Sequence, residues 1–204
     1  MEITLYNKYI FTCYLGLDTK ILYTSAMQLY DIVLEKFDHN KGAYKGKSTL
    51  STVRYNLYNV FFFPYEGFHE LFDVIRHVFY VCNHENRNKT YYIQSWVNVY
   101  NKNDYIDWHS HWSSECMSWH GFYCVNAANS STTYCLPGNE VGQSDVVIES
   151  KNDLLVLSRS DGDKHKSSPW NREDSPRITI AFDIVPVEHL QNLRTQQLSH
   201  WIPF

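Results

Sequence analysis

The sequence predicts an α+β fold, in which helices in the first part of the chain support a core built from β-strands. In the second part, short apolar runs separated by turn residues recur roughly every eight to twelve positions, as they do in sandwiches and barrels. Helical periodicity is limited to the residues before 85. Sixteen tyrosines and eleven phenylalanines also favour strands. The length of 204 residues fits a single domain.

The segment before residue 90 is predicted to supply helical support and entry strands. In both predicted helices apolar residues recur at spacings of three and four, and Pro64 ends an aromatic run before the second helix. In order, the predicted elements are strand and turn over residues 1–23, a helix from Ser25 to Phe37, a polar loop over 38–49, a strand from Val53 to Phe63 and a helix from Gly67 to Cys82. We expect the apolar face of the second helix to pack against a sheet.

Residues 91–186 are predicted to form the β-core. Apolar and polar residues alternate along the runs, and turn-forming residues such as those at 101–104 separate them. The predicted strands are Tyr91–Tyr100, Tyr105–His111, Gly121–Asn126, Thr132–Leu136, Val146–Ile148, Leu154–Leu157 and Ile178–Val185. Residues 187–204 follow as a C-terminal tail without a recognisable motif.

Charge and cysteine content narrow the classes of function. The net charge of −4 and the pI near 6.2 make nucleic acid a less favoured partner, although a local basic groove stays open. Five cysteines without Cys-x-x-Cys spacing argue against a disulfide framework and against a thiolate zinc site. Because the sequence shows neither a secretory signal nor an apolar run of membrane-spanning length, we expect a soluble, cytoplasmic protein with no membrane partner.

A His-x-His motif, together with a later histidine and arginine, predicts a metal site. His109 and His111 are two positions apart, so on a strand their side chains would point the same way. His165 follows further along the chain, and Arg177 opens an apolar run. Neutral imidazole suits iron, zinc or copper, and arginine suits a carboxylate in bidentate geometry. The pattern predicts a mononuclear metal site of the non-haem iron kind, with an acidic co-substrate held by Arg177.

The order of these motifs resembles that of the 2-oxoglutarate/Fe(II)-dependent dioxygenases over residues 94–186. The motifs are His-x-His at 109–111, Gly-Phe-Tyr at 121–123, His-x-x-x-Pro-x-Asn at 165–171 and Arg-x-Thr at 177–179. The resemblance is strongest to small prolyl-hydroxylase-like members and to a group of oxygenases common in phages and bacteria. It implies a double-stranded β-helix, or jelly roll, as the core, supported by the N-terminal helices.

The resemblance also implies a role for each matching residue. His109 matches the first iron ligand of the family, and His165 matches the distal ligand. Arg177 matches the arginine that pairs with the far carboxylate of 2-oxoglutarate, and Thr179 matches the hydroxyl residue two positions along. Three tyrosines are open candidates for further contacts to that carboxylate or to the metal-bound end: Tyr100, Tyr105 and Tyr123.

One position departs from the family pattern, because His111 stands where most members have an aspartate or glutamate. The favoured interpretation is that His111 ligates and completes a three-histidine site, since its position and direction are suitable. Two alternatives stay open: a carboxylate from Asp107 or Glu115 takes that role, or the metal has only two strong ligands. Three neutral imidazoles would leave iron more positive than the usual set, which makes zinc a competing metal.

Further residues near these motifs have simpler interpretations. His120 is expected to be a pocket-wall or core residue, and the Asp161-Gly162-Asp163 segment is expected to be a solvated turn. The nearby tryptophans, Trp108, Trp112 and Trp119, fit either a substrate wall or the filling of the jelly-roll mouth. The nearby cysteines, Cys116, Cys124 and Cys135, are expected to be buried thiols.

The resemblance implies an oxidoreductase with Fe(II) and 2-oxoglutarate as cofactors and dioxygen as co-substrate. Such an enzyme would hydroxylate an unactivated C–H bond, in this case on a protein or peptide side chain, and would release succinate and carbon dioxide. Two other functions remain open. One is a cupin-like jelly roll that binds a metal or ligand without oxidation, and the other is a three-histidine dioxygenase that uses no 2-oxoglutarate.

Overall fold

The computed structural model describes residues 2–6, 8–37, 57–112, 114–136, 141–142, 144–160, 163–191 and 200–204 of the chain. The helices are α1 (Thr19–Phe37), α2 (Phe68–Cys82) and α3 (Val187–Leu190). The strands are β1 (Thr4–Tyr6), β2 (Ile10–Tyr14), β3 (Tyr91–Tyr100), β4 (Trp119–Asn126), β5 (Ser130–Cys135), β6 (Val146–Ser150), β7 (Leu154–Arg159), β8 (Lys164–Ser167), β9 (Arg177–Pro186) and β10 (Ile202–Pro203). No helix among these residues is long and apolar enough to cross a membrane.

Two antiparallel sheets face each other and form a double-stranded β-helix. The larger sheet has seven strands in the order β1-β2-β7-β4-β9-β3-β10, and the smaller sheet has the order β6-β5-β8. Strands from both ends of the chain join the larger sheet, because β1 and β2 precede α1 and β10 lies in the predicted tail. The predicted α+β jelly roll with supporting N-terminal helices is therefore confirmed.

The alternation of side chains along β9 separates the core from the cavity between the sheets. Ile178, Ile180 and Phe182 belong to the main hydrophobic cluster with α1 and α2. Arg177 and Thr179 have the opposite parity and line the cavity. Side chains alternate in the same way along the neighbouring strand β3, and its Tyr100 lies directly opposite Arg177 in the register. One face of β9 thus packs in the hydrophobic core, and the other face lines the cavity.

The apolar face of α2 packs on the larger sheet as its periodicity predicts. Its buried residues are Phe68, Leu71, Ile75, Val78, Phe79 and Cys82. The ring of Phe79 lies 4.8 Å from that of Tyr91 and 5.7 Å from that of Trp119. These edge-to-face contacts add to the burial of apolar area and hold the helix on the sheet that carries the site.

Several predicted elements differ from those in the structure. Helix α1 begins six residues before the predicted Ser25, because Asp18 Oδ1 accepts the backbone N–H of Lys20 at 2.8 Å and so caps an earlier start. Ser25 instead donates its hydroxyl to the carbonyl of Glu66. The strand predicted from Val53 to Phe63 is wrong in its described part, which contains a 3₁₀ turn at Val60–Phe62. Residues 38–56, including the predicted loop, lie outside the described residues.

The predicted strand from Tyr105 to His111 is also wrong. Only His109 makes a β-bridge there, and its partner is His165. Strand β8, which carries His165, was not predicted, because its sequence Lys-His-Lys-Ser lacks the apolar residues that mark a strand. In the tail, α3 and β10 are ordered elements, whereas residues 192–199 lie outside the described part of the chain.

Truncating Phe79 should destabilise the protein. We expect Phe79→Ala to lower the free energy of unfolding by about 3–5 kcal/mol, because it removes a fully buried ring from a well-packed cluster. Val81→Ala on the exposed side of the same helix is the matched control and should change it by less than about 0.5 kcal/mol. Urea unfolding followed by circular dichroism measures both values. Equal losses in the two variants would contradict the assigned buried face.

Candidate active site

A cavity of about 460 Å³ lies between the two sheets. Its walls come from β3, β4 and β9 of the larger sheet, from β5 and β8 of the smaller sheet, and from residues 106–112 and 200–201. The residues that line it include His109, His111, His120 and His165. The structure therefore brings the predicted metal ligands into one cavity.

His109, His111 and His165 converge, with their potential ligand atoms all within 4.8 Å of one another. Two backbone hydrogen bonds hold the first and last together: His109 N donates to His165 O at 3.0 Å, and His165 N donates to His109 O at 2.9 Å. The segment around His109 thereby continues the smaller sheet beside β8. The three imidazoles consequently present nitrogen donors to one point of the cavity.

Polar contacts at Nδ1 indicate which nitrogen each of the first two imidazoles can offer. His109 Nδ1 lies 2.8 Å from the carbonyl oxygen of Asp107. Because a carbonyl only accepts, this nitrogen carries the proton and Nε2 keeps its lone pair. His111 Nδ1 lies 2.7 Å from Asp183 Oδ1, which likewise leaves Nε2 as the donor atom for a metal.

His165 is the most buried of the three imidazoles. Its Nδ1 atom is shielded from solvent and has no hydrogen-bond partner among the described residues. A buried polar atom without a partner is costly, so this orphaned nitrogen fits a site that acquires a further group. Burial, together with the neighbouring imidazoles of His120, His109 and His111, lowers the pKa of His165 well below its usual value. The neutral form, which is the form that ligates metals, is thus favoured.

The pKa values of the other two imidazoles differ in direction. Burial and the neighbouring His111 lower the pKa of His109 to about 4, so its imidazole is neutral at physiological pH. Burial also acts to lower the pKa of His111, but the Asp183 carboxylate outweighs it and raises the pKa overall. Of the three imidazoles, His111 is therefore the one that is paired with a carboxylate.

A second group of potential donors shares His165 with the first. His120, Asp163 and His165 also have donor atoms within 4.8 Å of one another, and all three residues are buried. His120 Nε2 lies 2.9 Å from Asp163 Oδ2, and the Ser158 hydroxyl donates to the same oxygen at 3.3 Å. Burial acts to raise the pKa of Asp163, but the His120 imidazole outweighs it and lowers the pKa. His120 and Asp163 thus already satisfy each other.

The expectation of a solvated turn at Asp161–Asp163 is wrong for Asp163, which is 1% exposed. Residues 161 and 162 lie outside the described part of the chain. Asp163 is buried because it pairs with His120, and this partner is distant in sequence. His120 itself is a cavity-wall residue, as expected, and its ring stacks 4.7 Å from that of His111 and 4.6 Å from that of His165.

Arg177 forms the other end of the cavity. Its side chain is 1% exposed, and its guanidinium carbon lies 4.7 Å from the centre of the Tyr100 ring. The Nε and Nη1 atoms have no hydrogen-bond partner among the described residues. A buried cation without a counter-ion is unfavourable, so this end of the cavity fits an anionic ligand.

Thr179 and Tyr100 complete the surroundings of this arginine. Thr179 follows Arg177 on the same face of β9 and lines the cavity. The Tyr100 hydroxyl is hydrogen-bonded to the side chains of Thr179 and Ser167. Burial raises the pKa of Tyr100, which keeps its hydroxyl protonated and able to donate.

The structure separates the three candidate tyrosines. Tyr100 lies beside Arg177, whereas Tyr105 is not among the residues that line the cavity. Tyr123 lies on the helix side of β4 in the main hydrophobic cluster, and its hydroxyl donates to Asp153 Oδ1 at 2.9 Å. The side-chain parity of β4 explains this placement, because His120 faces the cavity and Tyr123 has the opposite parity.

The alternative carboxylates are not brought to the imidazoles. Among the described residues, neither Asp107 nor Glu115 belongs to a group of converging donor atoms. Asp107 is exposed, and its backbone carbonyl rather than its side chain contacts His109. The sequence interpretation did not include Asp183, although its spacing of six residues from Arg177 along β9 already placed both on the same face of the strand.

The tryptophans are divided between the core and the cavity. Trp112 lines the cavity, whereas Trp119 packs in the main hydrophobic cluster. The cavity also contains Trp96 and, from the tail, Trp201. All five cysteines are free thiols; Cys124 and Cys135 are buried as expected, and Cys116 is partly exposed.

Comparison with known proteins gives a clear result only at the level of structure. Neither a protein-family model nor the sequence of a curated protein matches this chain. A prolyl hydroxylase in complex with a hypoxia inducible factor oxygen degradation domain peptide fragment from Trichoplax adhaerens is 14% identical in sequence. The similarity covers 92% of this chain and 89% of that one, with a TM-score of 0.63.

Two further solved structures are similar over most of their length. AviO1 from Streptomyces viridochromogenes Tue57 is 11% identical, with 87% of this chain and 89% of that chain covered and a TM-score of 0.59. The non-heme alpha ketoglutarate dependent carbocyclase SnoK from nogalamycin biosynthesis is 10% identical, with 86% and 79% covered and a TM-score of 0.56.

The fold and the site define a double-stranded β-helix protein with a histidine-lined cavity. This chain shares its jelly-roll fold with the prolyl hydroxylase and the carbocyclase. At these low identities the likeness establishes the fold, and the chemistry must be argued from the residues in the cavity.

Substitutions can distinguish the two groups of potential donors. We expect His109→Ala and His111→Ala to lose stoichiometric metal, because each leaves only two of the three converging imidazoles of the first group. Asp163→Asn should retain metal, because Asp163 is engaged with His120 and does not line the cavity. The metal content after Co(II) loading and desalting, measured by atomic emission, gives the answer.

His165→Ala serves as the positive control for metal loss, because His165 belongs to both groups. Circular dichroism must show that each variant remains folded. Loss of metal from Asp163→Asn with retention in His109→Ala would reverse the assignment of the ligands.

Proposed function

We propose that this protein is an Fe(II)- and 2-oxoglutarate-dependent dioxygenase that hydroxylates an unactivated C–H bond. The observation that carries the proposal is a single cavity with three converging imidazoles and, at another part of its wall, a buried arginine whose Nε and Nη1 lack partners among the described residues. In the proposed reaction, 2-oxoglutarate and dioxygen are consumed and the substrate C–H becomes C–OH. Succinate and carbon dioxide account for the remaining atoms.

The metal would be held by His109, His111 and His165. This set fits better than the second group because all three residues line the cavity, where a co-substrate could reach the metal. Imidazole donors suit Fe(II), and the orphaned Nδ1 of His165 supports a site that acquires a further group. Bound Fe(II) would supply the one-electron and dioxygen chemistry that amino-acid side chains lack.

The co-substrate would be oriented by Arg177, Thr179 and Tyr100. The guanidinium can donate two parallel hydrogen bonds to the far carboxylate of 2-oxoglutarate, and the neighbouring hydroxyls can add a third contact. Because Arg177 is fully enclosed, the pairing would be formed away from water, where electrostatic attraction is stronger. We therefore expect this enclosed position to favour a ligand that carries a carboxylate.

The substrate would enter from the part of the cavity that aromatic residues surround. Trp96, Trp112 and Trp201 line the cavity, and such walls exclude water from the reacting centre. A protein or peptide side chain is the proposed substrate. Two points support it: a similar fold is that of a prolyl hydroxylase in complex with a peptide fragment, and the net charge of −4 does not favour nucleic acid.

The cellular setting is part of the same proposal. Five free thiols fit a reducing, cytoplasmic environment, in which Fe(II) is also maintained more readily than in an oxidising one.

A three-histidine dioxygenase that uses no 2-oxoglutarate is the second candidate, and the donor set favours it. A cupin-like module without oxidation fits less well, because such a module needs no arginine that faces the cavity, and Arg177 lines it. Anaerobic Fe(II) titration with and without 2-oxoglutarate distinguishes these functions. Chelation of the 2-oxo acid to iron produces a weak visible charge-transfer band, and iron binding without that band would contradict the proposal.

Arg177→Gln should weaken 2-oxoglutarate binding in the same titration by roughly ten- to a hundred-fold, because it removes a charge-assisted pairing of about 1.5–3 kcal/mol. Metal binding should be unchanged, since the arginine is not part of the imidazole group. Arg172→Gln is the matched control, because Arg172 is a surface arginine that pairs with Asp174. Equal affinity for 2-oxoglutarate in the wild type and Arg177→Gln would show that the carboxylate binds elsewhere.

A further inference from the structure

Asp183 is a buried carboxylate on the cavity face of β9. Its neighbours along the strand, Phe182 and Ile184, are fully buried in the main hydrophobic cluster, and Asp183 itself is 5% exposed. In register it lies between Gln94 of β3 and His120 of β4. Placing an ionised carboxylate at the centre of a sheet is costly unless a partner compensates for the lost hydration.

The partner of Asp183 is the imidazole of His111. The two side chains meet at 2.7 Å between Asp183 Oδ1 and His111 Nδ1. Among the described residues, no lysine or arginine forms a salt bridge with Asp183, and Arg177 is six positions away on the same strand, roughly 20 Å along it. The carboxylate therefore acts mainly on one imidazole.

The second acidic residue of the cavity region does not compete for this role. Asp163 pairs with His120 at 2.9 Å, so each aspartate has its own imidazole. Asp183 also does not belong to either group of converging metal donors among the described residues, so His111 links this carboxylate to the imidazole group. The arrangement runs in the order carboxylate, imidazole, metal position.

We propose that Asp183 is a positioning residue. Its carboxylate acts through His111 and so compensates for the carboxylate ligand that the His-x-His motif lacks. By engaging Nδ1 it holds His111 with Nε2 towards the metal, and it supplies a negative charge that three neutral imidazoles lack. This inference rests on the metal centre of the proposed function but not on 2-oxoglutarate. Its tests therefore use metal alone.

Two substitutions separate the charge of Asp183 from its hydrogen-bonding role. Asp183→Asn keeps an oxygen acceptor of the same shape, whereas Asp183→Leu removes both the acceptor and the charge. For Co(II) affinity, measured by competition with a chelating dye, we expect a loss of about ten- to a hundred-fold in Asp183→Leu and a smaller loss in Asp183→Asn. Asp163→Asn is the matched control and should stay within about twofold of the wild type. Unchanged affinity in Asp183→Leu would overturn the proposal.

A double substitution distinguishes this role from a merely structural one. In His111→Asp the position regains the carboxylate of the commoner motif, and Asp183 then faces another negative charge instead of an imidazole. We therefore expect Asp183→Asn to weaken Co(II) binding in the wild type but to strengthen it in the His111→Asp background. An effect of the same sign in both backgrounds would contradict the proposal, because loss of general stability would weaken both.

The outcomes also separate this inference from the proposed function. If the sign reversal is observed but 2-oxoglutarate produces no charge-transfer band with bound Fe(II), the role of Asp183 stands and the dioxygenase proposal fails. If the band is present but the sign does not reverse, the proposed function stands and the carboxylate has no positioning role.

Discussion

The paired backbone hydrogen bonds between His109 and His165 are the constraint on which the site depends. They attach an irregular segment to the edge of the smaller sheet and place two histidines that are distant in sequence side by side. Because the bonds involve only backbone atoms, they leave both imidazoles free to face the cavity. His111 then reaches the same point because it is two residues further along. The positions of the proposed ligands His109 and His165 are thus fixed by backbone hydrogen bonds to β8.

Charge in and around the cavity is arranged in pairs, with one exception. His120 compensates for Asp163 and His111 for Asp183, so each buried aspartate has an imidazole close enough to stabilise it. Arg177 alone has no such counter-ion among the described residues. In a cavity where every other buried charge is matched, an unmatched guanidinium indicates the sign of the ligand that belongs there. The converging imidazoles and Arg177 therefore line the same cavity between the two sheets.

The larger sheet explains why a single fold can carry such different chemistry. Its core face depends on apolar packing against the helices, and only the opposite face contributes to the cavity. Substitutions on the cavity face leave the helix packing intact, so ligands can diverge while the strand order is retained. This separation is consistent with a shared jelly roll at 10–14% sequence identity.

The sequence by itself determined the features that depend on local spacing. Periods of two and of three to four residues predicted the β-core and α2, and the spacing of Arg177 with Thr179 placed both residues on one face of β9. Only the tertiary structure decided which distant groups meet. Asp183 reaches His111, Asp163 reaches His120, and the tail contributes Trp201 to the cavity, because strand order and register bring them together. Spacing along one segment contains no information about the register of another, which is why these partners could not be predicted.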